Sequence, residues 1–177
     1  MMHYTKKYII TGAPGTGKTT LIKALGKEFS CMSELSRQVI IREQQSGGEG
    51  TPWQNLSKFA ALVYEAFVQA LETSSQALFT DRSMLDLIAY LQVAGKPISR
   101  ELAQFPYLDK FREQVFFAPT WANIYHKDEQ RQQEFAWCLE LEKALVRVYA
   151  EKGFEIIQLP KHDVPNRVNF VTSIINP

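Results

Sequence analysis

Gly12-Ala13-Pro14-Gly15-Thr16-Gly17-Lys18-Thr19 is the stretch that decides the reading of this chain. It fits the pattern GxxxxGK[ST], a glycine-rich turn that cradles phosphate. Before it, Tyr8-Ile9-Ile10-Thr11 is a short β-branched and aromatic run, which predicts a buried strand. After it, Leu21, Ile22, Leu25 and Phe29 recur at helical spacing, which predicts an amphipathic helix from Thr19 to Phe29. The chemistry explains the spacing. Glycines let the backbone wrap tightly and turn its N–H groups inward, toward phosphate oxygens. The helix that follows adds the positive end of its dipole. Lys18 supplies a mobile charge to the β- and γ-phosphates, and the Thr19 hydroxyl is a ligand for Mg²⁺. A chance match in an ordinary turn is the alternative, and the strand before and helix after argue against it. The nucleotide-binding set is therefore Gly12, Ala13, Pro14, Gly15, Thr16, Gly17, Lys18, Thr19 and Thr20.

Outward from this loop, strands and helices alternate. Weak strand character at Cys31-Met32-Ser33 precedes a helix carrying Val39, Ile40 and Ile41. Gly47, Gly48, Gly50 and Pro52 predict a flexible surface loop between Gln45 and Pro52. Leu56 to Leu71 predicts a helix with Phe59, Leu62, Val63, Ala66, Phe67 and Ala70 on its apolar side. Strands are expected at Gln76–Thr80, Gln114–Ala118 and Phe154–Leu159. Helices are expected at Leu85–Val93, over one long stretch from Asp128 to Lys152, and at Val164–Ile175 with Asp163 as N-cap. Such alternation implies βαβ units and a mainly parallel sheet with helices on both faces. Ligands on such sheets bind beyond the carboxyl ends of the strands.

Composition narrows the functional classes. The chain has 177 residues, and residues 1–177 are expected to form one domain. The net charge of +1 gives no broad basic field, so no specific nucleic-acid partner is expected. No apolar stretch is long enough for a transmembrane segment, and the basic start is interrupted by Gly12 and Pro14, which makes a poor signal peptide. Cys31 and Cys138 belong to no metal-ligand pattern, and the three histidines lack ligand spacing. The expected location is cytoplasmic.

The remaining candidates follow strands. Asp81 ends an apolar strand, where a carboxylate can hold Mg²⁺ directly or through water; a turn Asp opening the next helix would look the same. Arg82 beside it can reach substrate or phosphate, or pair with a neighbouring carboxylate. Glu34 can take a proton from an acceptor hydroxyl or position a water, and Arg37 can clamp an anion; a solvated helix start is the plainer account of both. Arg131 sits where a lid can fold over phosphates. Trp121, Tyr125 and Phe135 flank it and read as core packing. Lys161-His162-Asp163 superficially matches a guanine-reading NKxD motif, but Pro160 replaces the Asn.

These residues together resemble a family. Gly12 to Thr19, then Ser33-Glu34-Leu35-Ser36-Arg37-Gln38, Thr80-Asp81-Arg82, Phe117-Ala118-Pro119-Thr120-Trp121, Asp128-Glu129-Gln130-Arg131 and Arg167-Val168 look like the predicted AAA-type ATPases related to the nicotinamide riboside kinase domain. The resemblance implies a P-loop NTPase, kinase-like α/β fold with five parallel strands in the order 2-3-1-4-5. It implies ATP in preference to GTP, Mg²⁺, and an acceptor site between the second and third strands. By this resemblance Glu34 and Arg37 belong to the acceptor side, Asp81 and Arg82 to the metal and phosphate side, and Arg131 to the lid. No arginine motif of ring-forming AAA+ motors is present. The expected activity is a Mg²⁺-dependent kinase of a small, nucleoside-like molecule, with Lys18, Glu34, Asp81 and Arg131 catalytic. Two alternatives stand beside it: an NTPase acting as a nucleotide-dependent switch, and a nucleotide-gated module that binds phosphoinositide or protein.

Overall fold

The computed structural model describes residues 6–125 and 134–176. Strand β1 (Lys7–Thr11) is central and buried along its whole length. It pairs in parallel with β3 (Phe79–Asp81) on one side and β4 (Phe111–Phe117) on the other. The edges are β2 (Cys31–Met32) and β5 (Glu155–Gln158), giving the order β2-β3-β1-β4-β5. This is the five-stranded, all-parallel arrangement that the family resemblance implies.

Alternation along β1 explains the two layers. Tyr8 and Ile10 point to one face, where they meet Leu21, Ile22 and Leu25 of α1 (Lys18–Leu25) and Val171 of α8 (Val164–Ile175). Ile9 points to the other face. There it joins α2 (Leu35–Ser46), α3 (Leu56–Thr73), α4 (Met84–Val93) and α7 (Phe135–Glu151). Ile9 and Ile10 are both fully buried, and each such side chain stabilises the fold by about 1.5–3 kcal/mol. Among the described residues no helix is long and apolar enough to cross a membrane.

Two expectations are corrected, and a stretch given no element is filled. The helix expected from Asp128 begins at Phe135 within the described residues, because Glu134 is extended and acts as its N-cap. Two short helices, α5 (Arg100–Gln104) and α6 (Tyr107–Lys110), precede β4. They carry one deeply buried anchor each, Leu102 and Tyr107, too few to produce a readable period. The glycine-rich segment after α2 is folded around a carboxylate. Glu43 is buried at the end of α2, and its Oε2 accepts from the Gly50 N–H (2.9 Å). A Cβ at Gly48 or Gly50 would lie 2.3 or 2.7 Å from that oxygen, so these glycines make room for a charge.

The register sets the site. Ile10 lies level with Asp81 and with Phe116, so the residues after β1, β3 and β4 share one edge of the sheet. Gly12 turns there with φ 143°, and a Cβ on it would sit 2.2 Å from the Ala118 carbonyl oxygen. Gly12→Ala should therefore lower stability by about 2 kcal/mol or more, read as a lower urea midpoint. An unchanged midpoint would mean that the backbone does not pass this close.

Candidate functional site

The phosphate loop runs from Gly12 to the start of α1. Gly17 stands at the N-cap of α1 in the left-handed region (φ 80°), and no side chain caps the helix. The first N–H groups of α1 are thus left for an anion. In their neighbourhood Lys18 Nζ donates to the Ala13 carbonyl (2.7 Å) and to the Thr16 hydroxyl (3.1 Å). Thr19 and Thr20 are exposed beside it. Burial, then the nearby Arg82 charge, pushes the Lys18 ammonium down to about 7.

Asp81 and Arg82 end β3 and face the loop from behind. Arg82 adopts φ 70°, unusual for a residue with a side chain. Its Nη1 donates to the Gly12 carbonyl (3.0 Å) and to Asp86 Oδ2 (3.0 Å), and its Nε to Glu34 Oε1 (3.2 Å). Asp86, on α4, also accepts from the Thr11 hydroxyl (2.8 Å) and from the Tyr149 phenol (2.7 Å). One buried network therefore links β1, α2, α4 and α7 beneath the loop. The sequence reading missed Asp86 and Tyr149. Their signal was present, since Asp86 is the single charge in the apolar helix MLDLIAYLQV.

Glu34 is the N-cap residue of α2, but its carboxylate makes no cap bond. It accepts instead from Arg82 and Ser36, with Arg37 Nε 3.7 Å away. Burial pushes Glu34 up, but Arg82, Lys18 and Arg37 outweigh that and hold it below the usual carboxylate range. Asp81 is different. It is buried, its Oδ1 has no hydrogen-bond partner, and burial pushes it up to about 6. An orphaned hard oxygen at the end of β3, with an exposed Thr19 hydroxyl at the start of α1, suits Mg²⁺, which takes only one or two protein oxygens beside phosphate and water. Among the described residues no cluster of three or more His, Cys, Asp or Glu offers an all-protein metal cage.

One cavity of about 490 Å³ joins these groups. Pro14 to Thr20, Glu34, Arg37 and Arg82 all line it; Asp81 does not. At the end beyond α1 the wall is Trp121, Ile124 and the stretch His162–Val164, with Arg167. Trp121 thus faces the cavity, where core packing was expected. Arg167 is a further residue the sequence reading gave no role. It is 2% exposed, donates from Nε to the Pro160 carbonyl (2.8 Å) and from Nη1 to the Thr16 carbonyl (2.7 Å), and lies 5.3 Å from the Trp121 ring. A cation in the first turn of a helix opposes the dipole, and that misfit was its signal. Asp163 Oδ1 is taken by the Asn166 N–H (3.0 Å) and amide side chain (2.7 Å), so this oxygen caps α8. Arg131 lies outside the described residues. The residues flanking that segment, Tyr125 and Phe135, pack edge to face with centroids 5.3 Å apart.

The Lys18 shift has a measurable sign. Below pH 7 the ammonium is charged in both folded and unfolded chains. Between about 7 and its ordinary 10.5 the unfolded chain binds more protons, so stability rises with pH across that window. Asp81 has finished titrating by then, at about 6. The wild type should gain on Lys18→Met by about 2 kcal/mol between pH 7 and 9 in chemical denaturation. A pH-independent difference would show that Lys18 stays charged in the folded state.

A family model described as an AAA domain matches residues 7–167. No curated protein sequence matches the chain. Among solved structures, deoxyadenosine kinase from M. mycoides, with the products dCMP and dCDP, superposes with a TM-score of 0.67 at 15% identity, covering 96% of this chain and 98% of the other. Thymidylate kinase from Candida albicans gives 0.63 at 13% identity, covering 97% and 91%. The NadR protein in complex with NAD and AMP-PNP gives 0.63 at 16% identity, covering 97% of this chain and 49% of that one. At these identities the likeness shows a shared fold. The match over residues 7–167 goes further: this chain belongs to the AAA-domain family, on a P-loop kinase-like fold.

Proposed function

We propose that this protein is an ATP- and Mg²⁺-dependent small-molecule kinase. The observation that carries the reading is the continuity of the cavity: it runs from the phosphate loop past Glu34 and on between α2, α3 and α4. A nucleotide hydrolase needs room for a water beyond the γ-phosphate; a space lined by Ile40, Phe59, Val63 and Phe67 is room for an acceptor. The deoxyadenosine and thymidylate kinases that share the fold support the same class.

The roles follow from position. The loop N–H groups, Lys18, Thr19 and Thr20 bind the triphosphate. Thr19 and Asp81 hold Mg²⁺, which when bound offsets charge on the β- and γ-oxygens. Glu34, ionised and fixed by Arg82, orients the acceptor hydroxyl and receives its proton. Arg37 stands at the mouth of the acceptor side, and Arg82 sets the distance between the two sites through Gly12 and Glu34. Catalysis by this arrangement is mainly positioning and electrostatic stabilisation. Arg131 is assigned to the lid, adding positive charge over the transferring group. ATP is preferred to GTP because Pro160 stands where a guanine-reading motif has its Asn, and Asp163 Oδ1 caps α8.

Glu34→Gln tests the proton acceptor. The amide keeps the shape, so ATP affinity should stay near normal while transfer falls about 10²- to 10⁴-fold. Survival of full activity would return Glu34 to the role of a helix-start residue. Asp81→Asn tests the metal site in a different way. A Mg²⁺ titration of turnover should shift to higher concentration, and an identical curve would leave Asp81 as a strand-end turn residue.

A further inference from the structure

The acceptor end of the cavity has an uneven wall. Its polar lining groups, Glu34, Ser36, Arg37, Arg82, Ser83 and Asp86, sit at the starts of α2 and α4, which Arg82 ties to the phosphate loop at Gly12. The charged ones are mutually paired, with Arg82 bound to Glu34 and Asp86, and Arg37 beside Glu34. Away from those helix starts the lining is Ile40 from α2, Phe59, Val63 and Phe67 from α3, and Leu87 from α4. Four of these five are at most 5% exposed, Ile40 being half-buried, so they form a fixed wall. Trp53 also lines the cavity with 56% of its surface exposed, just after the glycine turn that folds on Glu43. Tyr90 of α4 also lines the cavity, with its ring packed edge to face on Trp137.

We infer that the acceptor is an alcohol with an apolar, ring-bearing body and a single polar end, rather than a molecule with a nucleobase. A base has two or three donors and acceptors on its edge. Among the described residues the far wall has no side chain to pair with them. Each polar group buried without a partner weakens binding by about tenfold or more, and a site without such partners cannot select a base. An aromatic body gains what this wall does offer, edge and offset contacts with Phe59, Phe67 and Trp53. In the step itself, the hydroxyl oxygen forms a bond to the γ-phosphorus of ATP as the bond from that phosphorus to the β,γ-bridging oxygen breaks. ADP leaves with that electron pair, and the hydroxyl proton passes to the Glu34 carboxylate and then to solvent. The step rests on the kinase reading; the class of ligand rests on the wall alone.

Calorimetry on the full chain with AMP-PNP and Mg²⁺ separates the two. The panel is 3-phenylpropan-1-ol and geraniol against thymidine and deoxyadenosine. The phenyl alcohol should bind at least tenfold more tightly than either nucleoside, and geraniol should follow it. Trp53→Ala, an exposed position whose loss spares the core, should weaken the phenyl alcohol about tenfold and leave AMP-PNP affinity unchanged. Tighter binding of a nucleoside, no binding of either alcohol, or an unaltered affinity in Trp53→Ala overturns the inference. Labelled ATP then reports transfer. Alcohol binding without transfer keeps the ligand class and removes the kinase; nucleoside binding with transfer keeps the kinase and removes the class.

Discussion

The site depends on the Arg82 guanidinium. One cation holds the Gly12 carbonyl, the Glu34 carboxylate and the Asp86 carboxylate within hydrogen-bond reach. Three acidic groups, Glu34, Asp81 and Asp86, meet around the loop, and buried like charges would otherwise repel. A buried ion network of this kind contributes little net stability, because desolvation offsets most of the attraction. What it supplies is position. The phosphate loop, the start of α2 and the first turn of α4 cannot drift apart while Arg82 spans them. The left-handed φ of Arg82 is the local strain that aims the side chain back across β1. The sheet hydrogen bond from its N–H to the Ile10 carbonyl, 2.9 Å, holds the backbone in that state.

Around that tie the cavity divides by chemistry. The loop end presents uncapped helix N–H groups, a buried ammonium and an orphaned carboxylate oxygen, which are unfavourable without an anion and a cation beside them. Burial works against both charges there, lowering Lys18 and raising Asp81. An anion beside the one and a cation beside the other would relieve both shifts. The end toward α3 differs: its polar groups are already paired and its far wall is apolar. Arg167 closes the opposite end by gripping the Thr16 carbonyl, so α8 braces the loop from outside the sheet.

Much of this was legible in the sequence, because the signals were local. Eight contiguous residues make the phosphate loop, and the turn needs only its own glycines and the helix behind it. Parallel strands were legible from alternation, and Glu34, Asp81 and Arg82 stood out because they follow strands. Legibility failed where one residue type serves two ends. The α3 face carrying Phe59, Val63 and Phe67 has the spacing of any core-facing helix, and periodicity cannot tell a packed wall from a cavity wall. Likewise the glycines after α2 were read as flexibility, whereas they admit the Glu43 carboxylate at distances no Cβ allows.

By itself, then, the sequence determined the strand–loop–helix unit and the residue types that follow each strand, since both depend on neighbours a few positions away. Only the tertiary structure decided that Arg82 meets Gly12 across 70 residues, that Tyr149 meets Asp86 across 63, and that Arg167 meets Thr16 across 151. Those partners are chosen by sheet register and helix packing, and neither is encoded within any one segment. The apolar wall beyond Glu34 belongs to the same class of fact. It exists because α2, α3 and α4 converge without filling the space between them, and no single helix carries that information.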